Sequence, residues 1–356
     1  MAIETDYGDH PYRRLSDRSV WRKAVAEKSP YSLEEIYRSK FPITAEDRIV
    51  TAGSCFAQHI ARKLRESGFN FCDYEPAPPL FPVDLARSFN YGVYSARYCN
   101  IYTVRQMLQT FERAFGSFVP REPAWKNGLG FADPFRPALE PEPFVSVEDL
   151  ENSRRSHLEA VKTVFLQSDV FIFTLGLTEA WVSKADGAVF PLCPGTVAGS
   201  FDESQYEFKN FSYFEILEDL VALMGKVRAV NPAMRFLLTV SPVPLTATKS
   251  DQHVLSATSY SKSVLRAVAG HLSQEIDFVD YFPSYELITG PSMRGMFFEP
   301  NMRSVHPAGV DYVMSHFFAS HPPTEQRSAN EQATARIPVV AAMDVVCEEL
   351  LLTQGL

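Results

Sequence analysis

The residues best suited to chemistry lie in one short turn, residues 53–57, which holds a serine hydroxyl (Ser54) and a thiol (Cys55). An apolar run at residues 48–52 precedes the turn, and the segment after it has one apolar helical face made of Phe56, Ile60, Ala61 and Leu64. The first amides of a helix have no internal partners and carry partial positive charge, so they can stabilise an oxyanion. The turn therefore predicts a nucleophile at the start of a helix. The alternative is a structural turn in which Ser54 caps the helix.

Ser54 and Cys55 are the two candidates for this nucleophile. Cysteine is the stronger intrinsic nucleophile, and a helix N-terminus lowers the pKa of a thiol. However, Phe56 follows Cys55 directly, and free cysteines most often serve as buried packing residues. We therefore predict Ser54 as the nucleophile and retain Cys55 as the alternative.

A serine nucleophile needs a proton acceptor, and histidine has a suitable pKa. His306 directly precedes Pro307, which is expected to open the last helix and to leave His306 in the loop above the sheet. His253 is the alternative, because it lies in a polar loop that could turn back over the site. Each could equally be a surface histidine. The carboxylate that orients the histidine is expected to be Glu179 or one of three other acids, Asp280, Glu299 and Asp311.

Apolar runs alternate with amphipathic segments along the rest of the sequence. The predicted strands are residues 48–52, 170–175, 235–240 and 278–281, and the predicted helices are residues 57–67, 104–115, 147–166, 213–230, 260–272 and 309–318. This alternation is typical of parallel βαβ units in a doubly wound sheet, which binds ligands at the carboxyl ends of its strands. The motifs that directly follow the first three strands should therefore meet at one edge of the sheet.

Residues 51–64 resemble the signature of the GSCFA domain family, a branch of the SGNH/GDSL hydrolase superfamily. Further stretches resemble the same family, namely residues 100–106, 174–181, 241–243, 259–266 and 280–286. The likeness extends from about His10 to about Phe318. It implies a flavodoxin-like, SGNH-type three-layer sandwich around a central, mostly parallel sheet, with acyl-ester chemistry and no cofactor.

The resemblance also implies roles for individual residues around the turn. Overlay of the superfamily's Gly-Asp-Ser signature on Gly53 gives the nucleophile's place to Cys55, whereas overlay on the serine gives it to Ser54. His306 takes the place of the superfamily's catalytic histidine. Arg303 stands where the usual Asp-x-x-His pattern has its carboxylate.

An oxyanion hole would combine the amide of the nucleophile with donors from later loops. In the superfamily a glycine and an asparagine supply these donors. Asn100 resembles the asparagine of the family's Gly-Asn-Ile-Tyr-Thr stretch, with a cysteine in place of the glycine. In the block that begins at Gly176, Thr178 stands in the asparagine's place. The alternative is that Gly176 and Thr178 only end a strand.

The sequence predicts three parts: an N-terminal extension at residues 1–47, an SGNH-like domain at residues 48–320, and a C-terminal linker and short helix at residues 321–356. The extension is expected to hold a helix at about residues 33–39. The C-terminal helix, at about residues 339–352, is predicted to be a lid or a partner-docking element. The proline-rich residues 76–82 and 120–143 are predicted to form surface loops.

Composition excludes several classes of function. The 34 basic and 43 acidic residues give a net charge of −9, which argues against a nucleic-acid partner. No apolar run is long enough to span a bilayer, and the acidic N-terminus does not resemble a secretion signal. The five cysteines are widely spaced and form no CxxC pair, which predicts a reducing cytoplasm and argues against a zinc-thiolate site. Histidine and acidic residues show no metal-ligand spacing.

These features predict a serine-dependent esterase or O-acyltransferase that acts on small-molecule or carbohydrate-like acyl esters. Ser54 would attack the carbonyl carbon and His306 would relay the proton. The alternative is a non-catalytic ligand-binding module on the same fold. Neither function requires a metal or a cofactor, and the oligomeric state is left open.

Overall fold

The computed structural model describes residues 9–322 and 347–353. In these ranges the strands are β1 (Ile49–Gly53), β2 (Trp125–Asn127), β3 (Gly130–Ala132), β4 (Val170–Leu175), β5 (Glu179–Ser183), β6 (Val189–Phe190), β7 (Tyr206–Asn210), β8 (Arg235–Val240) and β9 (Val279–Tyr281). The α-helices are α1 (Phe56–Glu66), α2 (Val83–Ser88), α3 (Val104–Ala114), α4 (Val147–Gln167), α5 (Tyr213–Val230), α6 (Val254–Glu275), α7 (Ser284–Thr289) and α8 (Pro307–Ser320). The protein therefore has an α/β fold.

The centre of the fold is a parallel sheet with the strand order β1-β4-β8-β9. Every residue of β1 and β4 is buried, as expected for strands that are covered on both faces. Such strands are continuous apolar runs, which is why the sequence identified them. All four predicted strands are confirmed, and their ends differ from the prediction by at most one residue.

Helices cover both faces of this sheet, because successive strand residues point to opposite sides. On one face, Val50 and Phe171 pack into a core with residues of α3, α4, α5 and α6. On the other face, Ile49 and Ile172 pack with residues of α1, α7 and α8. The six predicted helices are present as α1, α3, α4, α5, α6 and α8, although α6 begins at Val254 rather than at residue 260.

The N-terminal extension departs from the prediction. The helix predicted at residues 33–39 is wrong, because Glu35 has a φ of 53° and interrupts any helical path. Leu33 and Tyr37 are nevertheless buried in the core on the α1 face. The Tyr37 hydroxyl donates a hydrogen bond of 2.9 Å to Asp280 Oδ2, so long-range contacts rather than local propensity shape this segment.

Two small antiparallel sheets were not predicted. Strands β2 and β3 form a hairpin within the proline-rich region that was expected to be a loop. Strands β6, β5 and β7 form a three-stranded sheet directly after β4. None of the helices in the described ranges is long and apolar enough to cross a membrane.

The C-terminal prediction is only partly covered by the structure. Most of the linker and the first part of the helix predicted at residues 339–352 lie outside the described residues. Within the described part, Glu348–Thr353 form a 3-10 helix.

Candidate functional site

The turn after β1 lies tightly against the end of β4. Gly53 has a φ of 140°, and a Cβ at this position would overlap the carbonyl oxygen of Thr174, so glycine is required. The Ser54 amide donates to the same Thr174 carbonyl at 3.2 Å. The Ile101 amide donates to Gly53 O at 2.9 Å, which joins the loop of Asn100 to the turn.

Ser54 is 3% exposed, and its hydroxyl has no hydrogen-bond partner in the described part of the chain. Helix α1 has Cys55 as its N-cap residue and no side-chain cap, so the alternative role of Ser54 as the helix cap is wrong. A Cβ on Gly176 would lie 2.9 Å from both Ser54 Cβ and Tyr102 O, so the loop after β4 closes directly on the serine. A buried hydroxyl without a partner calls for an explanation, either an ordered water or a catalytic role.

The neighbouring thiol is paired with a cysteine from the far end of the chain. Cys55 is buried, and its thiol donates a hydrogen bond to Cys347 Sγ. This hydrogen bond, with burial, raises the pKa of Cys55. The same hydrogen bond, with the charge of Arg303, lowers the pKa of Cys347 to about 6. Arg303 Nη1 and Nη2 donate to Cys347 Sγ at 3.3 and 3.4 Å, so Cys347 carries the thiolate of the pair.

Cys347 belongs to a C-terminal segment, Cys347–Thr353, that contacts the loops around the turn. The amide of Asn100 donates to Glu348 Oε2 at 3.4 Å, and the amide of Glu349 donates to Tyr102 Oη at 3.1 Å. Both glutamates are at most 4% exposed. The C-terminal segment therefore fills the space at the carboxyl ends of β1 and β4, where a substrate would be expected to lie.

Two buried cations lie beside this segment. Arg303 Nη2 forms an ion pair of 2.7 Å with Glu349 Oε2. Lys262, on α6, is 1% exposed, and its Nζ donates to Gly176 O at 2.6 Å. Burial lowers the pKa of Lys262 to about 8. The position next to Ser54 therefore has a lysine that is partly neutral near physiological pH.

The two predicted histidines do not join this arrangement. His306 and His253 are exposed N-cap residues of α8 and α6, and their Nδ1 atoms accept hydrogen bonds from the amides of Ala308 (3.1 Å) and Leu255 (3.2 Å). In the described ranges Ser54 Oγ has no hydrogen bond to either of them. Their roles as proton acceptors therefore stay predictions that require a movement of their loops.

Asn100, the predicted oxyanion-hole residue, contacts the start of α1 through Gln58. Its side-chain Oδ1 accepts from Tyr94 Oη at 2.5 Å and from Gln58 Nε2, on α1, at 3.4 Å. Cys99 has a φ of 59°, a conformation that favours glycine, which is the residue that the resembling stretch has there. The site thus keeps the backbone shape of the motif with a different side chain.

Thr178 and Glu179 follow Gly176 at the same edge of the sheet. Thr178 is fully buried, its amide donates to Ser261 Oγ at 3.0 Å, and its hydroxyl has no partner in the described part. Glu179 accepts a 2.8 Å hydrogen bond from Thr248 Oγ1, and burial raises its pKa. Glu179 therefore contacts a loop threonine rather than a candidate histidine.

Two of the other acids considered as orienting groups, Asp280 and Asp311, are engaged elsewhere. Asp280 accepts hydrogen bonds from Tyr37 Oη and from the amide of Lys40, both at 2.9 Å. Asp311 pairs with Lys63 at 2.8 Å. The carboxylate that would orient His306 is thus not formed by either of these two residues.

A pocket of about 810 Å³ in the described part lies away from this turn. It is bounded by the proline-rich loops around residues 76–79 and 140–145 and is not lined by Ser54 or Cys55. No group of three or more histidine, cysteine or acidic side chains in the described ranges is arranged to hold a metal ion. The Ser54 site therefore differs from an open cleft, because the chain's own C-terminal segment occupies it.

No role for Lys262 and no contacts of Arg303 were predicted from the sequence, and the C-terminal segment was predicted only as a lid or partner-docking element. Lys262 had a signal, because it lies within the resembling stretch 259–266 and on the buried helical stripe that includes Ala257 and Leu265. A lysine on a buried stripe needs a polar partner and so marks a candidate site. The C-terminal segment had no such signal, since its contacts are made across the whole length of the chain.

Comparison with known proteins identifies the family. Searches of curated proteins and of solved structures found no match to the chain. The family model described as GSCFA matches residues 48–317, which include β1 and the turn, all four strands of the central sheet, and most of α8. Because this match covers well over half of the 356 residues, the chain belongs to the GSCFA family.

Proposed function

We propose that the protein is an esterase or O-acyltransferase whose nucleophile is Ser54. The observation that carries this proposal is the buried Ser54 hydroxyl, which has no partner in the described part and lies at the start of α1. An unpartnered hydroxyl beside helix amides is suited to attack a carbonyl and to place the resulting oxyanion on those amides. The finer assignment of the fold to the SGNH type is part of this proposal, and it is supported by the parallel sheet and by the position of the turn after β1.

In this proposal Lys262 is the proton acceptor, although, like the two histidines, it has no hydrogen bond to Ser54 Oγ in the described ranges. Its Nζ is bonded to Gly176 O, and Gly176 packs directly on Ser54. A lysine with a pKa of about 8 has a neutral fraction at physiological pH and can act as a general base. His306 is the alternative proton acceptor, which would require a movement of its loop toward Ser54.

The reaction divides into two acyl transfers. Ser54 Oγ bonds to the carbonyl carbon while its proton passes to Lys262, and the ester C–O bond then breaks as the leaving alkoxide takes that proton. Water or a second hydroxyl attacks the acyl-enzyme in the same way and releases Ser54. Because the Ser54 amide is bonded to Thr174 O, the oxyanion would be stabilised by the Cys55 amide at the start of α1, by Asn100 and by the Thr178 hydroxyl, which has no partner in the described part.

The substrate class is a small-molecule or carbohydrate-like acyl ester, and a cytoplasmic location is part of the proposal. All five cysteines are free, and two of them, Cys55 and Cys347, lie in hydrogen-bond contact without a disulfide. Adjacent free thiols support a reducing compartment.

The test combines labelling and turnover in the full chain. A fluorophosphonate probe should modify Ser54, and Ser54→Ala should lose hydrolysis of 4-nitrophenyl acetate by roughly a thousandfold. The exposed Ser256, on α6, provides the matched control Ser256→Ala. Loss of turnover in Cys55→Ala but not in Ser54→Ala would reassign the nucleophile to Cys55.

A non-catalytic binding module is the second candidate function. It is favoured by one observation, the lack of a hydrogen bond between Ser54 and any histidine in the described ranges. This function predicts ligand binding that Ser54→Ala leaves intact, with no ester turnover by the wild-type protein.

A further inference from the structure

The carboxylate of Glu349 is held by a small set of buried donors. Arg303 Nη2 lies 2.7 Å from Oε2, and the amide of Thr246 donates to Oε1 at 2.8 Å. The side chains of Glu349 and Arg303 are 5% and 12% exposed. Each carboxylate oxygen therefore has its own donor in a site that is nearly closed to solvent.

This site has more donor capacity than Glu349 uses. Arg303 Nε and Thr246 Oγ1 are both buried, and neither has a hydrogen-bond partner in the described part of the chain. Buried donors are nearly always satisfied in folded proteins. These two atoms lie beside the Glu349 carboxylate and could bind further acceptor atoms. They therefore point to a larger ligand that carries a carboxylate together with such acceptors.

The same site adjoins the proposed nucleophile. Arg303 also donates to Cys347 Sγ, whose partner Cys55 directly follows Ser54. On the other side, Lys262 is linked to Ser54 through Gly176. A ligand carboxylate at the position of Glu349 would thus leave the rest of the ligand next to Ser54.

We propose that Arg303 and the Thr246 amide form a carboxylate subsite, that Glu349 is its intramolecular occupant, and that the substrate is an ester carrying a carboxylate. The proposal deepens the proposed function, on which its assignment to a substrate rests. The carboxylate belongs either to the acyl half, as in a half-ester of a dicarboxylic acid, or to the alcohol half, as in a uronic acid.

The charge balance of the site explains why a neutral ester would not displace the C-terminal segment. Arg303 and Lys262 lie beside this carboxylate, and displacement of the C-terminal segment would remove both the Glu349 carboxylate and the Cys347 thiolate that balance their charge. An unpaired buried charge is strongly unfavourable. A ligand that restores the negative charge avoids this cost, so the site selects anionic substrates.

The experiment measures binding to the full chain by calorimetry with four probes. Monoethyl succinate and methyl glucuronide carry the carboxylate on the two alternative halves, and diethyl succinate and methyl glucoside are their neutral counterparts. In Glu349→Gln, which lacks the internal competitor, one anionic probe should bind about ten- to hundredfold more tightly than its neutral counterpart. Whichever anionic probe shows this preference identifies the half of the ester that carries the carboxylate.

Two further variants complete the design. Arg303→Met combined with Glu349→Gln should abolish the preference for the anionic probe. Glu348 lies in the same segment, but its carboxylate contacts the Asn100 amide rather than Arg303. The variant Glu348→Gln should therefore not gain probe binding. The proposal is overturned if the Glu349→Gln variant unfolds at the wild-type temperature and binds the anionic and neutral probes equally.

Binding and turnover separate this proposal from the proposed function. Selective binding of an anionic probe without hydrolysis of any ester retains the carboxylate subsite and rejects the esterase. Turnover of neutral esters through Ser54, without any preference for anionic ones, rejects the subsite and retains the esterase.

Discussion

Docking of the C-terminal segment should depend on the protonation of Glu348. This side chain is 2% exposed, and its Oε2 accepts from the Asn100 amide at 3.4 Å. Its Oε1 is buried and has no partner in the described part of the chain. Burial raises the pKa of Glu348 from 4.5 to about 7, so the segment docks most favourably with this carboxyl protonated.

The sign and size of the effect follow from this pKa. Because the pKa is raised in the docked state, the contribution of Glu348 to docking is fully present below pH 4.5 and is lost as the pH rises through 7. The difference between the two pKa values corresponds to about 3 kcal/mol, or a factor on the order of one hundred in the opening equilibrium. Glu348→Gln stays neutral and can accept the same hydrogen bonds, so it should lose this dependence.

Hydrogen exchange of the C-terminal peptides, measured by mass spectrometry from pH 5 to pH 8, tests this prediction. The ratio of wild-type to Glu348→Gln exchange rates for residues 347–353 should rise through this range toward roughly a hundredfold. Cys347 titrates in both proteins, so its own effect cancels from the ratio to first order. The exposed Glu203 provides a control, Glu203→Gln, which should exchange as the wild type does. A ratio that stays constant between pH 5 and pH 8 would refute the reasoning.

Three further outcomes test the site and its surroundings. Diamide oxidation should cross-link Cys55 to Cys347, because their thiols are in hydrogen-bond contact, and peptide mapping that finds either residue only in other disulfides would contradict this. Gly176→Ala should lower the free energy of unfolding by about 1–3 kcal/mol, since its Cβ would meet two neighbours at 2.9 Å. The matched change Gly225→Ala, in an open position on α5, should raise it by about 1 kcal/mol in the same denaturation experiments. If Lys262 is the base, kcat/KM should rise with pH through about 8 as the amine loses its proton, and Lys262→Met should remove that rise.

The central sheet could be predicted closely because its strands carry a simple physical signal. In β4, Phe171 and Phe173 are buried on one face of the sheet and Val170 and Ile172 on the other, so the strand begins with four apolar residues in a row. Helix α6 was predicted to begin too late for the opposite reason. Val254 and Leu255 are exposed in its first turn, so the early residues show no apolar face and His253 looked like part of a loop.

The failures occurred where distant contacts override local pattern. The spacing of Leu33 and Tyr37 suits a helix, yet both side chains are buried against a core built from residues far along the chain. The hairpin of β2 and β3 is stabilised in a similar way by Trp125, which packs on Phe190 of β6 at a ring distance of 5.1 Å. Such pairings depend on which surfaces the rest of the fold presents, and no window of the sequence records them.

The turn itself was predictable because its requirements are local. The backbone conformation at position 53 requires a glycine. The positions of Ser54 and Cys55 follow directly from the end of β1 and the start of α1. The partners of these residues were not predictable. Arg303 and the C-terminal segment reach the turn through loops whose order in space is set by the whole sheet.

Arg303 stands at the position of the acid in the Asp-x-x-His pattern and also contacts the C-terminal segment. In the resembling Asp-x-x-His pattern a carboxylate stands where this chain has Arg303, so His306 has lost its expected acid and instead caps α8. The same arginine pairs with Glu349 and with the thiolate of Cys347, which brings the C-terminal segment to the turn. An acid at this position would repel both of these anions. Under the proposed function, the positive charge of Arg303 favours docking of the C-terminal segment, and the buried amine of Lys262 rather than His306 takes the proton.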